Sequence, residues 1–398
     1  MKVLVIGGDG YCGWATSLYL SSRGHDVTIV DSLARRAWDR EHGLDSLVPI
    51  ASTRRRIDEW SRITGRTVRF EPVDVTDYDA FCRVVQECEP EAIVHFGQQR
   101  SAPFSMIDRE HAVRTHLNNT VGNMNVLWAL REHAPHAHLV KLGTMGEYGT
   151  PNIDVEEGFI TIEHNGRSDR LPFPKQPGSF YHLTKVSDSD QIYFTCKVWG
   201  LHATDLNQGI VYGTFTEETA LSAALANRYD YDHIFGTVLN RFCVQAALGH
   251  ALTVYGSGGQ TRSFLDIRDT VRCIEIAIEN PAREGEYRVF NQFTEMFRVE
   301  ELAERVARVA RQNGMACEIA HITNPRSERE THYYNCVNTN LRSLGLEPTL
   351  LSDDTIAGLI ALAREHAKRV DLRLIPPRIE WRPAALAEQQ AKGAPAVA

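Results

Sequence analysis

Short apolar runs alternate with amphipathic stretches along the chain as far as Gly213. The apolar runs are rich in β-branched residues, which favours strands, and the stretches between them repeat apolar positions at helical spacing. We expect strands at 2–6, 26–30, 68–72, 92–95, 138–142 and 203–207, and helices between them, among others at 12–22, 78–88 and 116–132. This alternation predicts an α/β fold with a Rossmann-type, doubly wound parallel sheet.

Beyond Gly213 the pattern is less regular and indicates a smaller C-terminal lobe. We expect a hairpin at 252–264, a helix at 269–279 and an amphipathic helix at 299–312. The chain therefore divides into a first domain at 1–212, a mixed α/β lobe at 213–383 and a tail at 384–398. The tail is rich in Ala, Gln and Pro, and we expect it to be disordered.

Two segments inside the first domain depart from the simple alternation. Residues 35–66 are long for a connection between strands and carry three successive arginines, Arg54, Arg55 and Arg56, which we expect on a solvated helix face. Residues 150–179 are polar and rich in Gly and Pro, which indicates a long ordered loop. Loops of that length often close over a functional site, so this one is a candidate lid.

Composition and charge narrow the classes of function. The 398 residues carry a net charge of −8, and this acidic balance argues against a surface for nucleic acid or for anionic membranes. No apolar run approaches the roughly 20 residues that span a bilayer, and the chain begins directly with a strand, so we expect a cytoplasmic protein without membrane insertion. The eight cysteines form no CxxC pair or zinc-ligand cluster, so we expect reduced core thiols and no metal.

A glycine-rich turn follows the first strand directly. Gly7, Gly10 and Gly13 have the GxxGxxG spacing that allows a tight turn and close backbone approach to a pyrophosphate at the next helix N-terminus. Asp31 ends the second strand, where a carboxylate accepts both ribose hydroxyls and repels the extra phosphate of NADP, so NAD is the expected cofactor. Two nearby arginines weaken that preference. The predicted cofactor-binding residues are Gly7, Gly10, Tyr11, Cys12, Gly13, Asp31, Ser32, Arg35, Arg36, Asp74, Val75, Phe96, Gly97, Asn118, Tyr181 and Lys185.

A tyrosine and a lysine stand four positions apart in the sequence YHLTK. On a helix, Tyr181 and Lys185 share one face, and an ammonium beside a phenol favours the phenolate and lowers the pKa of the phenol. Thr144 follows the fifth expected strand, where its hydroxyl can hydrogen-bond the substrate hydroxyl that is oxidised. The three residues together predict a hydride-transfer site with Tyr181 as the base.

Several long blocks of the sequence carry a family resemblance. They are GGDGYCGWAT (7–16), HFGQQRSAPFSMIDR (95–109), KLGTMGEYGTPNIDVEEG (141–158), FYHLTKVSDS (180–189), ATDLNQGIVYG (203–213), VYGSGGQTRSFLDIRDTV (254–271) and PRSERETHYYN (325–335). Through them the chain resembles the extended short-chain dehydrogenases/reductases that act on nucleotide sugars, over nearly its whole length up to Trp381. Within that family it is most similar to the members that join sulfite to UDP-glucose.

The resemblance implies a redox-neutral reaction on UDP-glucose. NAD oxidises carbon 4 while Tyr181 takes the hydroxyl proton, water is lost across carbons 5 and 6, sulfite adds to carbon 6, and hydride returns to carbon 4. Related 4,6-dehydratases carry Thr-Asp-Glu where this chain has Thr144-Met145-Gly146, so simple dehydration is not expected. A UDP-glucose 4-epimerase, or another NAD-dependent UDP-hexose enzyme, is the nearest alternative. An NAD(H)-sensing scaffold is the alternative outside enzymes.

The resemblance also implies a substrate site and an assembly. Arg100 stands where relatives usually carry a small residue, and it serves either the sugar or sulfonate or, alternatively, the pyrophosphate or a structural ion pair. His182 and Glu147 are candidates for moving the carbon 5 proton and the water. We expect a homodimer or homotetramer packed through two long helices, and sulfite that arrives either free or from a delivering protein. The expected substrate-binding residues are Arg100, Thr144, Tyr181, Asn207, Gln208, Val211, Arg241, Thr253, Val254, Tyr255, Gln260, Arg262 and Arg326.

Overall fold

The computed structural model describes residues 1–326 and 328–381. In chain order its strands, β1 to β14, are Lys2–Ile6, Asp26–Val30, Val68–Glu71, Ala92–His95, His138–Thr144, Phe159–His164, Arg167–Pro172, Ala203–Gln208, Ile210–Tyr212, Leu252–Tyr255, Thr261–Asp266, Tyr287–Gln292, Glu295–Arg298 and Ile319–Ile322. Its α-helices, α1 to α13, are Tyr11–Ser22, Ala34–Glu41, Thr53–Thr64, Tyr78–Cys88, Ala102–Ser105, Arg109–His116, Gly122–His133, Phe180–Trp199, Val238–Ala247, Ile267–Glu279, Val299–Gln312, Asn340–Ser343 and Asp353–Glu365. A π-helical segment, Leu117–Val121, joins α6 to α7. Short 3₁₀ turns lie at Met145–Glu147, Thr219–Leu221, Ala223–Leu225, Ala367–Arg369 and Leu372–Leu374.

Seven parallel strands form the central sheet, in the order β12-β8-β5-β4-β1-β2-β3. Alternate residues of β1 face opposite layers of helices. Val3 and Val5 pack in one core cluster with Trp14 of α1, whereas Leu4 and Ile6 pack in another with α4 and α7. The order of strands reverses between β1 and β4, which is where ligands bind in sheets of this kind. The predicted α/β fold with a doubly wound parallel sheet is confirmed.

The second lobe has its own core, built mainly from α9, α11 and α13. β10 pairs in parallel with β14, whereas β11 lies between β13 and β9. The predicted hairpin at 252–264 is therefore wrong. Gly256 and Gly258 adopt positive φ in the turn between β10 and β11 and send the chain into a different sheet, while the Val254 side chain enters the lobe core.

The central sheet takes its last strand from the second part of the chain. β12 pairs with β8 from Tyr287 opposite Ala203 to Gln292 opposite Gln208. α10 also packs against α1 of the first domain. The domain that contains the central sheet thus includes residues beyond the expected boundary at 212, because the chain returns from the second lobe to form the edge strand β12.

The 35–66 segment contains α2 and α3 and departs from the prediction at one arginine. Arg54 and Arg55 are exposed, as expected. Arg56 is fully buried, pairs with the Asp9 carboxylate at 3.1 Å and lies over the Trp14 ring at 3.8 Å. The prediction of a solvated position is therefore wrong for Arg56, because α3 packs against the glycine-rich turn that carries Asp9.

The 150–179 segment is partly regular. β6 and β7 form an antiparallel ribbon, so the prediction of a long ordered loop is wrong for 159–172. After the ribbon the chain returns to the sheet, where Lys175 donates to Glu147 Oε2 at 2.6 Å and the Gln176 N–H donates to the Glu147 carbonyl at 3.1 Å. Among the described residues, no helix combines the length and the apolar character needed to cross a bilayer. The predicted disordered tail, 384–398, lies outside the described residues.

Candidate active site

The glycine-rich turn is held in a shape that only glycine tolerates at two positions. Gly7 has φ +79°, and a methyl group on it would lie 2.7 Å from the Gly97 nitrogen. A methyl group on Gly13 would lie 2.1 Å from the Gly7 carbonyl oxygen. The absence of side chains brings the start of α1 directly onto the end of β1, and its free N–H groups face the cavity where a pyrophosphate would bind.

Asp31, directly after β2, presents a carboxylate to this cavity. Its Oδ2 accepts the Asp9 N–H at 2.9 Å, and its Oδ1 accepts the Leu33 N–H at 2.7 Å. Burial and the nearby Asp9 carboxylate raise the pKa of Asp31 to about 6. These two hydrogen bonds fix the carboxylate, and it retains acceptor capacity for two ribose hydroxyls.

The two arginines beside Asp31 are already paired with acidic groups. Arg36 donates to both Asp9 carboxylate oxygens, at 2.6 and 2.9 Å, and does not line the cavity. Arg35 lines the cavity but pairs with Asp39 and with Asp230. The charges of both guanidinium groups are therefore balanced by carboxylates of the protein, which supports the preference for NAD.

One cavity brings the predicted cofactor residues together. Every residue of that predicted set except Arg36 lines it, and Arg100 and Gln208 of the predicted substrate set line it as well. The set of donors and the cradle of glycines fit a dinucleotide. Several other residues that line the cavity were not predicted from the sequence, among them Trp38, Gln98, Leu142, Gly143, Arg228 and Phe235.

Tyr181 and Lys185, two of the three expected catalytic residues, line this cavity. Tyr181 and Lys185 are buried on the first turns of α8, which begins with the Ser179 hydroxyl accepting the His182 N–H at 3.2 Å. The Tyr181 N–H donates to the Ser105 hydroxyl at 3.0 Å, which ties α8 to α5. Thr144 stands at the end of β5, and its hydroxyl contacts the Tyr181 phenol.

The pKa of Tyr181 departs from the prediction. Burial and the Glu147 carboxylate raise the pKa of the phenol above its ordinary value, and Lys141, Arg100 and the Thr144 hydroxyl offset only part of that rise. The predicted lowering by Lys185 is therefore wrong for the protein alone. The Lys185 ammonium instead donates to Gln98 Oε1 and to the Leu142 carbonyl at 2.5 Å.

Glu147 is locked in a buried ionic network. Its Oε1 accepts from Lys141 Nζ at 3.4 Å and its Oε2 from Lys175 Nζ at 2.6 Å, with the Ser189 hydroxyl at 3.0 Å. Burial alone would raise the pKa of Glu147, but the two ammonium groups outweigh it and hold that pKa below its usual range. A carboxylate held in this way is poorly suited to carry protons to or from a sugar.

His182 follows Tyr181 on α8 and lies beside the 144–147 turn. A methyl group on Gly146 would be 2.3 Å from His182 Nε2, and the rings of His182 and Tyr181 are 5.0 Å apart. Burial, Arg326 and Arg262 lower the pKa of His182 to about 3. Its ring is therefore neutral and faces the two arginines.

Arg100 lines the same cavity. It pairs with Asp230 at 2.6 Å and donates to the Phe235 carbonyl at 3.3 Å. Its side chain remains 39% exposed, so part of its donor fork is available to a ligand.

The remaining expected substrate residues divide into two groups. Arg241 contacts the Tyr255 hydroxyl at 3.3 Å and the Thr253 carbonyl at 3.4 Å, and Arg262 pairs with Glu328 and lies 3.2 Å from His332. These arginines, with Arg326, are on the side of the site formed by the second lobe. Of the expected substrate residues, only Arg100, Tyr181 and Gln208 line the cavity described above. The side chains of Asn207, Val211 and Val254 are buried in contacts within the protein.

The comparisons with known proteins agree with this geometry. Residues 3–291 match the NAD dependent epimerase/dehydratase family. The chloroplastic UDP-sulfoquinovose synthase of Spinacia oleracea is 58% identical over 381 residues, covering 96% of this chain and 79% of that protein. The UDP-sulfoquinovose synthase of Sulfolobus acidocaldarius is 42% identical, covering 96% and 98%. A solved UDP-glucose-4-epimerase from Stenotrophomonas maltophila with bound NAD has a TM-score of 0.71 at 20% identity, covering 93% of this chain and 100% of that one, and shows the shared fold.

The chain therefore belongs to the NAD dependent epimerase/dehydratase family, whose fold and glycine-rich cofactor turn it carries. Within that family it groups with the UDP-sulfoquinovose synthases and not with the 4-epimerases. It is an NAD-dependent enzyme, and the alternatives of a 4-epimerase and of a non-enzymatic NAD(H) sensor are set aside.

Proposed function

We propose that the chain makes UDP-sulfoquinovose from UDP-glucose and sulfite. The proposal rests on the 58% identity to a UDP-sulfoquinovose synthase across nearly the whole chain. The catalytic turn agrees with it, since Thr144-Met145-Gly146 has no acid and base pair for a simple 4,6-dehydration. The next carboxylate, Glu147, is committed to two lysines.

Oxidation at carbon 4 is the first step. The glycine-rich turn and Asp31 would hold NAD, which would supply the acceptor for the carbon 4 hydride and the donor for its return. The Tyr181 hydroxyl oxygen takes the proton of the carbon 4 hydroxyl, which the Thr144 hydroxyl holds in position. Because burial raises the pKa of Tyr181, the phenolate needs a cation close by, and Lys185 is the cation on the same helix face.

A carbonyl at carbon 4 acidifies the proton on carbon 5 and permits loss of water across carbons 5 and 6. We assign the transfer of that proton to His182, whose ring lies against the 144–147 turn. Burial is the main cause that lowers the pKa of His182, and Arg326 and Arg262 add to it, so the ring meets the substrate neutral and can accept the carbon 5 proton. The substrate diphosphate would offset the two arginine charges and so favour that transfer. Sulfite adds through sulfur to carbon 6 of the resulting alkene, and carbon 5 regains a proton.

The diphosphate is assigned to the arginines of the second lobe. Arg262, Arg241 and Arg326 can offer planar donor forks to its oxygens. Arg262 would exchange its protein partner Glu328 for the ligand. The uridine is assigned to the backbone and side chains around Thr253 and Tyr255, as the family resemblance implies.

A homodimer is the expected assembly. Large apolar side chains are exposed along α6, the π-helical segment and α7, and along the neighbouring α8, among them Leu117 at 54% and Phe194 at 58%. These helices pack side by side, so the exposed residues form one apolar face. A second copy of the chain would remove this face from water through the same helix that carries Tyr181 and Lys185.

The test is mass spectrometry of the products from UDP-glucose and NAD, with and without sulfite. We expect a sulfite-dependent product that carries a sulfonate in place of the 6-hydroxyl. Tyr181→Phe should abolish it with NAD binding retained, whereas the control Tyr193→Phe, further along α8, should retain it. UDP-galactose formed at any sulfite level would contradict the proposal. If the purified enzyme forms this product from free sulfite, no sulfite-delivering protein is needed.

A further inference from the structure

Two polar side chains, one half-buried and one fully buried, lie next to Lys185, and the proposed reaction gives neither of them a role. Gln98 follows β4, and Asp188 lies one helical turn after Lys185 on α8. Gln98 Oε1 accepts from the Lys185 ammonium, and Gln98 Nε2 donates to Asp188 Oδ2 at 2.6 Å. Asp188 is fully buried, and its Oδ1 has no hydrogen-bond partner within the described residues.

The charges on either side determine which way the Gln98 amide faces. In the observed orientation its carbonyl oxygen meets an ammonium and its amino group meets a carboxylate. Turned by 180°, the amide would point its amino group at Lys185 and its oxygen at Asp188, and both contacts would be repulsive. Asp188 therefore selects the orientation in which Gln98 serves Lys185 as an acceptor.

The acceptors also orient the ammonium. A lysine ammonium has three N–H donors. Two of those of Lys185 donate to Gln98 Oε1 and to the Leu142 carbonyl. One N–H remains for the cavity that Tyr181 lines. Without Gln98 as an acceptor, the ammonium would lose part of the contact that favours its charged form.

Several charged groups surround Lys185, and each of them affects the pKa of its ammonium group. Burial and the like charge of Lys141 lower the pKa of Lys185 to about 8, against the carboxylates of Asp188, Glu147 and Asp205. The titratable and charged groups that face it are Tyr181, His182 and Asp188 on α8, His95 on β4, Lys141 on β5, Glu147 in the following turn and Asp205 on β8.

We propose that Gln98 and Asp188 are positioning residues for the catalytic lysine: Asp188 orients the amide of Gln98, and Gln98 holds the Lys185 ammonium charged and turned toward Tyr181. The two side chains act through Lys185 and need not touch the sugar. The assignment rests on the proposed function only where turnover is measured.

The direct test measures the titration of Lys185 itself. The protein is acetylated with acetic anhydride at a series of pH values, and the modified Lys185 peptide is quantified by mass spectrometry. Gln98→Leu removes an acceptor and Asp188→Asn removes a negative charge, so both should lower the pKa of Lys185, by about one unit for Asp188→Asn. Gln98→Glu places a carboxylate against the ammonium and should raise it.

Shifts of opposite sign separate positioning from simple space filling. A control on the same helix, Gln191→Leu, removes an amide that contacts Asn123 and should leave the titration unchanged. Equal titration of Lys185 in wild type, Gln98→Glu, Gln98→Leu and Asp188→Asn would overturn the proposal, provided that thermal melts show each variant folded.

The second measurement is reduction of bound cofactor by UDP-glucose, followed by absorbance across pH without sulfite. The alkaline limb should move to lower pH in Gln98→Leu and Asp188→Asn and to higher pH in Gln98→Glu. The maximal rate of reduction should change much more than the UDP-glucose concentration that gives half of that rate. If wild type gives no reduction, the proposed function fails and the acetylation result still decides this inference. If wild type reduces the cofactor and the limbs coincide in all variants, this inference fails.

Discussion

Asp31 connects cofactor binding to pH at the scale of a single residue. Its pKa is raised to about 6, from an ordinary value of 3.8, so the carboxylate that would accept the ribose hydroxyls is lost as the pH falls through 6. We expect NAD affinity to fall about tenfold between pH 7 and pH 5, measured by calorimetry. A raised pKa of a carboxyl has the opposite effect on folding, since protonation between pH 6 and 4 favours the folded protein.

The control for this prediction is Asp31→Asn. This variant should bind NAD more weakly at pH 7 and should lose the change between pH 7 and pH 5. An equally steep change in the variant would mean that another group is responsible.

A substitution at Gly13 tests whether the close packing of the glycine-rich turn is needed for NAD binding. Gly13→Ala should abolish tight NAD binding and lower the melting temperature, because its methyl group would lie 2.1 Å from the Gly7 oxygen. Gly358→Ala in α13 is the matched control, since no heavy atom lies within 4 Å of the added group. It should leave NAD binding unchanged and stabilise the protein by up to about 1 kcal/mol. Calorimetry with NAD and thermal melts measure both, and unchanged NAD binding in Gly13→Ala would contradict the cradle.

The sequence predicted individual residues well where local spacing carries the information. The glycines and Asp31 line the cavity as their distance along the chain indicated. Arg228 and Phe235 could not be found in this way, because they reach the same cavity from a segment whose path depends on the whole lobe. Asp9 was visible in the glycine-rich motif, but its ion pairs require α2 and α3 to be in place.

At the scale of elements, apolar runs located the strands of the first domain closely and gave less information on the segments that connect them. β5 and β8 continue to Thr144 and Gln208, which delivers both residues to the same edge of the sheet. The helix expected at 116–132 is divided by the π-helical segment, where Asn119 donates to the Gln99 carbonyl and the Thr184 hydroxyl, each at 2.9 Å. Periodicity does not reveal such an interruption, because it arises from contacts with another helix.

The N-cap of α8 affects both an element and the chemistry. Ser179 caps the helix and also lies 3.0 Å from His182 Nδ1. Ser179→Ala should cost about 1 kcal/mol of folding stability and should lower kcat for the sulfonated product, because His182 loses its partner. Ser352→Ala removes the corresponding cap of α13, where Ser352 accepts the Thr355 N–H at 3.1 Å, and should cost similar stability with kcat unchanged. Equal kcat values in the two variants would contradict a role for the position of His182.

At the scale of the molecule, the site depends on contacts between distant parts of the chain. β12 completes the sheet from beyond residue 212, and Arg100 of the first domain pairs with Asp230 of the second part. Neither feature has a local signal, which explains why the expected boundary at 212 divided a continuous structure. The site is therefore built jointly by both parts of the chain.

The apolar face on α6, α7 and α8 is the expected contact between two copies of the chain. If it is the dimer interface, Leu117→Glu combined with Phe194→Glu should shift sedimentation velocity to the mass of one chain, because two carboxylates would be buried unpaired at each interface. Leu350→Glu, at another site that is 56% exposed, should leave the assembly intact. Since α8 also carries Tyr181 and Lys185, the single chain should turn over more slowly than the assembly. An unchanged sedimentation coefficient in the double variant would contradict this face as the dimer interface.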